Sequence, residues 1–367
     1  YRLISAKRFR RVLFLVDRTS LGIQAQDAFK EVHVENLQTF TEIFDLKGLQ
    51  DVTVDADTKL HLSTVQGMVR RILNADTPED VPTVDTYDCV VIDECHRGYG
   101  LDQELSDTEL QLAEYGIRSQ QDYLSSYRRV LDHFDAVRIG LTATPALHTK
   151  EIFGTPTYQY TYREAVIDGN LVDHEPPISL VTKLAEDGIH WTKGERVQIV
   201  DPAVTGESFI DLPDEVDVEI DSFNRKVVTT NFNRVVCAEL ARQIDPFDGF
   251  KTLVFCATDS HADMVVAMLK QAFDDVYGGI DDDVVRKITA ASDRPLDAIR
   301  RFKNERTPSV AVTVDLLTTG IDVPTIANLV FLRRVRSRIL YEQMLGRATR
   351  LCKELGKESF RIFDAVA

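Results

Sequence analysis

Short apolar runs alternate with longer amphipathic stretches along most of the chain. The runs include Val12-Leu13-Phe14-Leu15-Val16, Cys89-Val90-Val91-Ile92, Val137-Arg138-Ile139-Gly140-Leu141, Leu253-Val254-Phe255, Val310-Ala311-Val312-Thr313-Val314 and Leu329-Val330-Phe331-Leu332. They lack the strict apolar–polar alternation of a half-exposed sheet. They fit strands buried on both faces, as in a parallel sheet covered by helices. Residues 23–29 and 261–273 read as two of the intervening helices. The pattern predicts α/β architecture.

The rhythm breaks between residues 176 and 221. Glu175-Pro176-Pro177 is followed by an alternating Ile178-Ser179-Leu180-Val181, then a glycine-punctuated piece around Trp191-Thr192-Lys193-Gly194, then an acidic run. This stretch is expected to be a connection with one or two antiparallel strands. A new α/β series begins near Phe223. The expected division is a first α/β unit at 1–175, a linker or insert at 176–222 and a second α/β unit at 223–367. A length of 367 residues with 44% hydrophobic content agrees with two cores rather than one.

Composition excludes some classes. No apolar run approaches the roughly 20 residues that span a bilayer, so no membrane partner is expected. The opening Tyr1-Arg2-Leu3-Ile4-Ser5-Ala6-Lys7-Arg8 has neither an initiator methionine nor the shape of a signal peptide. It leads at once into a buried-looking strand, so the chain is expected to lack an N-terminal portion. Cys89, Cys95, Cys237, Cys256 and Cys352 are scattered, without a Cys-x-x-Cys pair. This predicts a reducing, cytoplasmic setting with no disulfide framework. Cys95-His96 is a poor nucleophile or zinc candidate, because adjacent residues do not easily form a nucleophile–base pair.

The net charge of −16 argues against a generally nucleic-acid-binding surface, but the charge is uneven. Residues 201–221 carry eight acidic groups and no Lys or Arg, whereas residues 331–350 carry six Arg (333, 334, 336, 338, 347, 350) against Glu342. A phosphate-binding surface needs only local positive charge. A solvated arginine face is an equally good reading of the run by itself.

Four segments carry candidate chemistry. In Cys89-Val90-Val91-Ile92-Asp93-Glu94-Cys95-His96 a buried strand ends in two carboxylates, where open α/β sheets bind ligands. Asp93 is assigned to Mg²⁺ and Glu94 to a water attacking a γ-phosphate. In Arg138-Ile139-Gly140-Leu141-Thr142-Ala143-Thr144-Pro145, the hydroxyls of Thr142 and Thr144 follow a second strand. In Val314-Asp315-Leu316-Leu317-Thr318-Thr319-Gly320-Ile321-Asp322-Val323-Pro324, Gly320 permits close backbone approach. Asp322 there has two options, a ribose hydroxyl or a facing Arg. In Tyr341-Glu342-Gln343-Met344-Leu345-Gly346-Arg347-Ala348-Thr349-Arg350, a helix at about 100° per residue brings Gln343, Arg347 and Arg350 into one stripe. Leu340, Met344, Ala348 and Leu351 form an apolar stripe beside it. Each segment alone has a plainer reading, as an acidic turn, an ordinary strand end or a surface helix.

Their order is more informative. Asp-Glu-x-His, Thr-Ala-Thr, Thr-Gly-x-Asp and Gln-x-x-Gly-Arg-x-x-Arg together resemble the superfamily 2 helicase and translocase motor. That resemblance implies two RecA-like parallel-sheet domains with ATP between them. Phe14-Leu15-Val16-Asp17-Arg18-Thr19 and Ser63-Thr64-Val65-Gln66 look like its DNA-backbone motifs Ia and Ib, and Thr252-Leu253-Val254-Phe255-Cys256 looks like motif IV. The stretches Asp93-Glu94-Cys95-His96-Arg97-Gly98-Tyr99, Gly140 to Thr149, Tyr162-Arg163-Glu164-Ala165-Val166-Ile167-Asp168-Gly169 and Thr313 to Arg350 are similar to the R (HsdR) subunits of type I restriction enzymes. The similarity covers almost the whole chain.

It implies ATP-driven translocation of double-stranded DNA, ahead of cleavage by a separate nuclease domain. It also implies assembly with modification and specificity subunits. Carried over residue by residue, Asp93 and Glu94 handle magnesium and water, His96 couples to Gln343, and Thr142 and Thr144 link hydrolysis to domain motion. Arg347 and Arg350 would reach the γ-phosphate, and Gly320 and Asp322 would lie near the nucleotide. Arg18, Thr64, Gln66, Thr258 and Thr319 would contact DNA.

One departure is large. Gly-x-x-x-x-Gly-Lys-Ser/Thr, whose amides and lysine hold the β- and γ-phosphates, does not occur, and Gly356-Lys357 lacks the upstream glycine. In the resembling family that loop precedes the position of Tyr1, so the isolated chain is expected to be inactive. Two other readings stay open. One is the motor of a type III restriction subunit or another superfamily 2 helicase. The other is a catalytically inactive DNA-binding or assembly module with the same fold.

Overall fold

In a computed structural model, residues 1–17, 19–75, 81–95, 120–144, 147–180, 189–191, 196–199, 208–211, 216–218, 230–314, 322–335 and 337–366 are described. The chain forms two compact units, Tyr1–Gln159 and Tyr160–Ala367.

The first unit is built on five parallel strands in the order Asp45–Lys47, Thr58–Thr64, Val12–Val16, Cys89–Ile92, Val137–Gly140. The register aligns Leu15 with Ile92 and Ile92 with Gly140, so three strands end at one level. Leu13, Leu15, Val90 and Ile92 pack with Met68, Tyr127, Val130 and Phe134. Val12, Leu60 and Cys89 pack with Ile4 and Phe40. The helix Val65–Leu73 buries Val65, Met68 and Val69, at the i, i+3, i+4 spacing of a core-facing stripe.

The second unit has seven parallel strands. Six follow the order Val285–Lys287, Val310–Thr313, Lys251–Phe255, Ile326–Phe331, Ser359–Asp364, Asp173–His174, and Ile178–Ser179 also pairs with Ser359–Asp364. Successive residues of one strand feed opposite cores. Val254 packs with the helices Thr230–Gln243 and Asp259–Tyr277. Leu253 and Phe255 pack with Phe302 of Pro295–Asn304 and with Leu340 and Met344 of Arg338–Leu345. Both units are thus parallel sheets in the RecA-like α/β arrangement.

The unit boundary differs from the expected residue 175. Residues 160–180 belong to the second unit, and Ile178–Ser179 is a parallel strand of its sheet rather than part of an antiparallel connection. Antiparallel pairing does occur farther on, between Ile189–Trp191 and Val216–Val218 and between Arg196–Ile199 and Ser208–Asp211. All five cysteines are buried free thiols. Among the described residues, no helix is long and apolar enough to cross a membrane.

Two buried histidines mark the acid limit of the fold. His61 Nδ1 bonds the Tyr87 hydroxyl at 2.5 Å. His261 Nδ1 accepts from the Ala257 N–H at 3.2 Å, and its Nε2 bonds Asn233 Oδ1 at 3.0 Å. Burial pushes both down from 6.5 to about 4, with the Arg71 guanidinium adding to the effect at His61. The unfolded chain therefore binds more protons than the folded one between these values, so each histidine costs stability as pH falls through that window. The full cost is on the order of 3 kcal/mol per histidine. Urea midpoints should fall between pH 7.5 and pH 5, above the range where most carboxylates protonate. Equal midpoints would contradict this assignment.

Candidate functional site

The strand Cys89–Ile92 ends in a turn over Asp93, Glu94 and Cys95. The Asp93 N–H donates to Leu15 O at 2.9 Å, on the strand to one side. The Cys95 N–H donates to Leu141 O at 3.0 Å on the other side, and the Leu141 N–H donates back to Ile92 O at 2.8 Å. Between these anchors Glu94 adopts a left-handed backbone with φ 49°. A non-glycine residue there costs about 1 kcal/mol and is held by its surroundings. The Glu94 N–H donates to Asp93 Oδ1 at 3.0 Å, so the turn folds onto its own carboxylate.

Asp93 and Glu94 are both half-buried. Among the described residues, no group of three or more His, Cys, Asp or Glu could hold a metal ion. Mg²⁺ commonly takes one or two carboxylates and completes its shell with water and substrate phosphates, so Asp93 has suitable donor chemistry. Cys95 is 1% exposed. Burial, then Glu94 and Asp93, push its thiol up to about 12, the direction opposite to that of a reactive thiolate. His96 lies outside the described residues.

The second polar turn lies beside the first. The Thr144 N–H donates to Thr142 Oγ1 at 3.1 Å, so the two threonines bond within one turn. The Thr144 hydroxyl is buried and has no hydrogen-bond partner among the described residues. Gly140 is fixed by space: a Cβ there would stand 2.8 Å from Cys95 Sγ and 3.0 Å from the Phe153 ring.

In the second unit the arginine segment departs from the expected helix. The helix is Arg338–Leu345, so Gln343 is on it, while Arg347 and Arg350 lie beyond its end. The Arg347 and Ala348 N–H groups donate three residues back, to Met344 O and Leu345 O, and tighten the last turn. The next carbonyls are taken by distant partners: Thr349 O accepts from the Val172 N–H at 2.8 Å, and Ala348 O and Arg350 O accept from Lys357 Nζ. The apolar stripe still holds, with Leu340, Met344 and Ala348 buried and Leu351 packed beside them. Arg347 Nε donates to Gln343 O at 3.3 Å.

Arg350 Nε pairs with Asp322 Oδ1 at 3.2 Å, both side chains about half exposed. Of the two options for Asp322, the facing arginine is the one seen. The arginine run is not a uniform solvated face, because Arg333 is buried.

The DNA-contact candidates are less separable from structure. Thr64 Oγ1 accepts from the Gly67 N–H and Thr258 Oγ1 from the His261 N–H, so both threonines cap helices. Gln66 is half-buried in the first turn behind Thr64. Arg18, Thr319 and Gly320 lie outside the described residues. A cavity of about 300 Å³ in the second unit, lined by residues including Asp248, Asn328, Lys357 and Arg361, contains none of the expected site residues.

Comparison with known proteins identifies the family of the chain. The family described as "Type III restriction enzyme, res subunit" matches residues 1–147, and the helicase conserved C-terminal domain matches residues 234–352. The endonuclease subunit of the type I restriction enzyme EcoKI of Escherichia coli strain K12 is 54% identical over 371 residues, covering 100% of this chain. This chain belongs to the R-subunit family of type I restriction enzymes. It spans 31% of the length of that relative. Among solved structures, a fragment described as an HsdR subunit of a type I restriction enzyme from Vibrio vulnificus YJ016 has a TM-score of 0.59 at 22% identity, covering 97% of this chain and 53% of that one. The ATP-dependent type ISP restriction-modification enzyme LlaBIII, bound to DNA, has a TM-score of 0.60 at 15% identity, covering 98% of this chain and 25% of that one. Both structures share the fold.

The Gly140–Cys95 contact makes a stability prediction. Gly140→Ala should cost about 1–3 kcal/mol, as overpacking in a filled core does. Cys95→Ala in the same chain should recover part of that loss in urea denaturation. Simple addition of the two losses would show that the sulfur is not the obstacle.

Proposed function

We propose that this chain is the ATP-hydrolysing, DNA-translocating motor of a type I restriction R subunit. It would move double-stranded DNA before a separate nuclease domain cuts. The observation that supports this best is the Asp93–Glu94 turn, held between the ends of two neighbouring strands by the bonds of Asp93 and Cys95. A carboxylate fixed on backbone in this way can orient an attacking water without reorganising during the reaction. Glu94 is assigned to that water, and Asp93 to Mg²⁺, which when bound neutralises phosphate charge.

Arg347 and Arg350 are assigned to the γ-phosphate, with Gln343 and His96 reading its presence. The tightened turn after Leu345 supports this, because it carries the guanidiniums off the helix on a short, braced segment. Thr142 and Thr144 would pass the change to the neighbouring strand end, and Asp322 would hold Arg350 until nucleotide arrives. Gly320 and Thr319 are assigned to the nucleotide and DNA sides of their loop, and Arg18, Thr64, Gln66 and Thr258 to DNA phosphates. The modification and specificity subunits would supply site recognition.

In the full-length subunit, Glu94→Gln should lower DNA-stimulated ATP turnover at least a hundredfold while ATP binding persists, measured by steady-state hydrolysis and equilibrium titration. Unchanged turnover would remove Glu94 from the water-activating role. Arg350→Ala should slow hydrolysis by roughly 10³-fold or more, as loss of an arginine finger does. Its melting temperature should barely move, because an exposed ion pair contributes about 1 kcal/mol or less. A large drop in melting temperature with little kinetic effect would make Arg350 a structural residue.

A further inference from the structure

Lys357, like Lys251, is a lysine of the second unit buried against main-chain carbonyls. It is only 6% exposed, and among the described residues no carboxylate pairs with it. Its ammonium instead donates to main-chain carbonyls of two separate segments: Ala348 O at 2.7 Å, Arg350 O at 2.9 Å, Pro324 O at 3.1 Å and Ile326 O. Four acceptors share three N–H donors.

The turn that delivers Lys357 is itself set by backbone. Gly356 has φ 63°, a left-handed conformation that glycine adopts without a Cβ penalty. The Lys357 N–H donates to Cys352 O at 3.0 Å, closing a short antiparallel bridge. The two segments joined below the surface by Lys357 are the same two joined at the surface by the Asp322–Arg350 pair.

Resting on the role given above to Arg347 and Arg350, we propose that Lys357 is a positioning residue for segment 347–350. Its ammonium fixes the main chain from which both guanidiniums project. No apolar residue of similar size can do this, because the Ile326 and Ala348 carbonyls would lose a buried donor and those of Pro324 and Arg350 a partly buried one. An arginine finger acts through its placement at the reacting phosphate, and a misplacement of about 1 Å can cost on the order of a hundredfold in rate. Lys357 therefore acts on hydrolysis without touching nucleotide.

Burial pushes the Lys357 amine down to about 8, with Cys352 opposing the shift. The charged and titratable groups around it are Cys352 on the same turn, Asp322 and Arg350 on the tied segments, and Glu175, Asp248, Glu358 and Arg361 of the cavity that Lys357 lines. As pH rises through about 8, the ammonium becomes an amine with two N–H groups for the same four carbonyls, and its hold on the segment weakens.

The test uses the full-length R subunit in its assembled enzyme. Lys357→Met should lower kcat for DNA-stimulated ATP hydrolysis at least tenfold while KM for ATP stays within about twofold. Added to Arg347→Ala/Arg350→Ala, it should cause no further loss. Unchanged kcat in Lys357→Met overturns the proposal, and so does a multiplied loss in the triple variant, which would place the action of Lys357 elsewhere. If Arg347→Ala/Arg350→Ala itself hydrolyses normally, the arginine assignment fails first and the proposal falls with it. Should Lys357→Met not fold, the alkaline limb decides. A kcat that falls through about pH 8 in the wild type but not in Arg347→Ala/Arg350→Ala supports the proposal. The same limb in both, or none in the wild type, overturns it.

Discussion

Three main-chain hydrogen bonds at the end of the first sheet constrain everything the candidate site can do. Asp93 is tied to Leu15, Leu141 to Ile92 and Cys95 to Leu141. Together they join the ends of three parallel strands into one crest. Each bond is modest, about 1 kcal/mol net, but the set is enough to offset the left-handed backbone at Glu94. The apolar strands beneath fix the height of the crest, because the register of Leu15, Ile92 and Gly140 puts three strand ends side by side. The position of the two carboxylates is thereby set by backbone.

The second unit solves a similar problem by different means. Its arginines lie on a tightened turn beyond a helix, and turns of this kind have few internal bonds. A buried ammonium, the Val172 N–H and a packed Ala348 supply what the helix does not. Polar atoms in an apolar setting are costly unless satisfied. The convergence of four carbonyls on Lys357 is therefore a specific arrangement with few substitutes.

Much of this was legible in the sequence, for reasons that can be located. The strands at Val12–Val16 and Cys89–Ile92 coincide with their apolar runs, because a strand buried on both faces writes its whole length in hydrophobic residues. Asp93 and Glu94 were readable because polar residues directly after such a run must fall at a strand end. The helix read through residues 341–350 was overextended: it stops at Gly346, and the segment beyond is held by the Val172 N–H and Lys357. Residues 173–179 gave no local sign of joining a strand at 359–364, since parallel pairing at that separation leaves no mark in either segment. Lys357 looked like a failed phosphate-loop lysine, because its partners are main-chain carbonyls, which residue types do not encode. The left-handed Glu94 could not be read at all, since nothing in its residue type favours positive φ.

The outer strands of the second sheet bear on how the molecule is made. Asp173–His174 and Ile178–Ser179 wait for Ser359–Asp364, and the Ser359–Glu175 hydrogen bond spans 184 residues. On a ribosome residues 1–159 emerge before any of the second unit and can collapse early. The second cannot close its sheet until nearly all of its chain has emerged. Long-range pairing of this kind slows folding and leaves strand edges open to wrong partners in the meantime. Slowed synthesis or crowding should therefore affect the two units unequally, with misassembly concentrated in the half that carries the arginines.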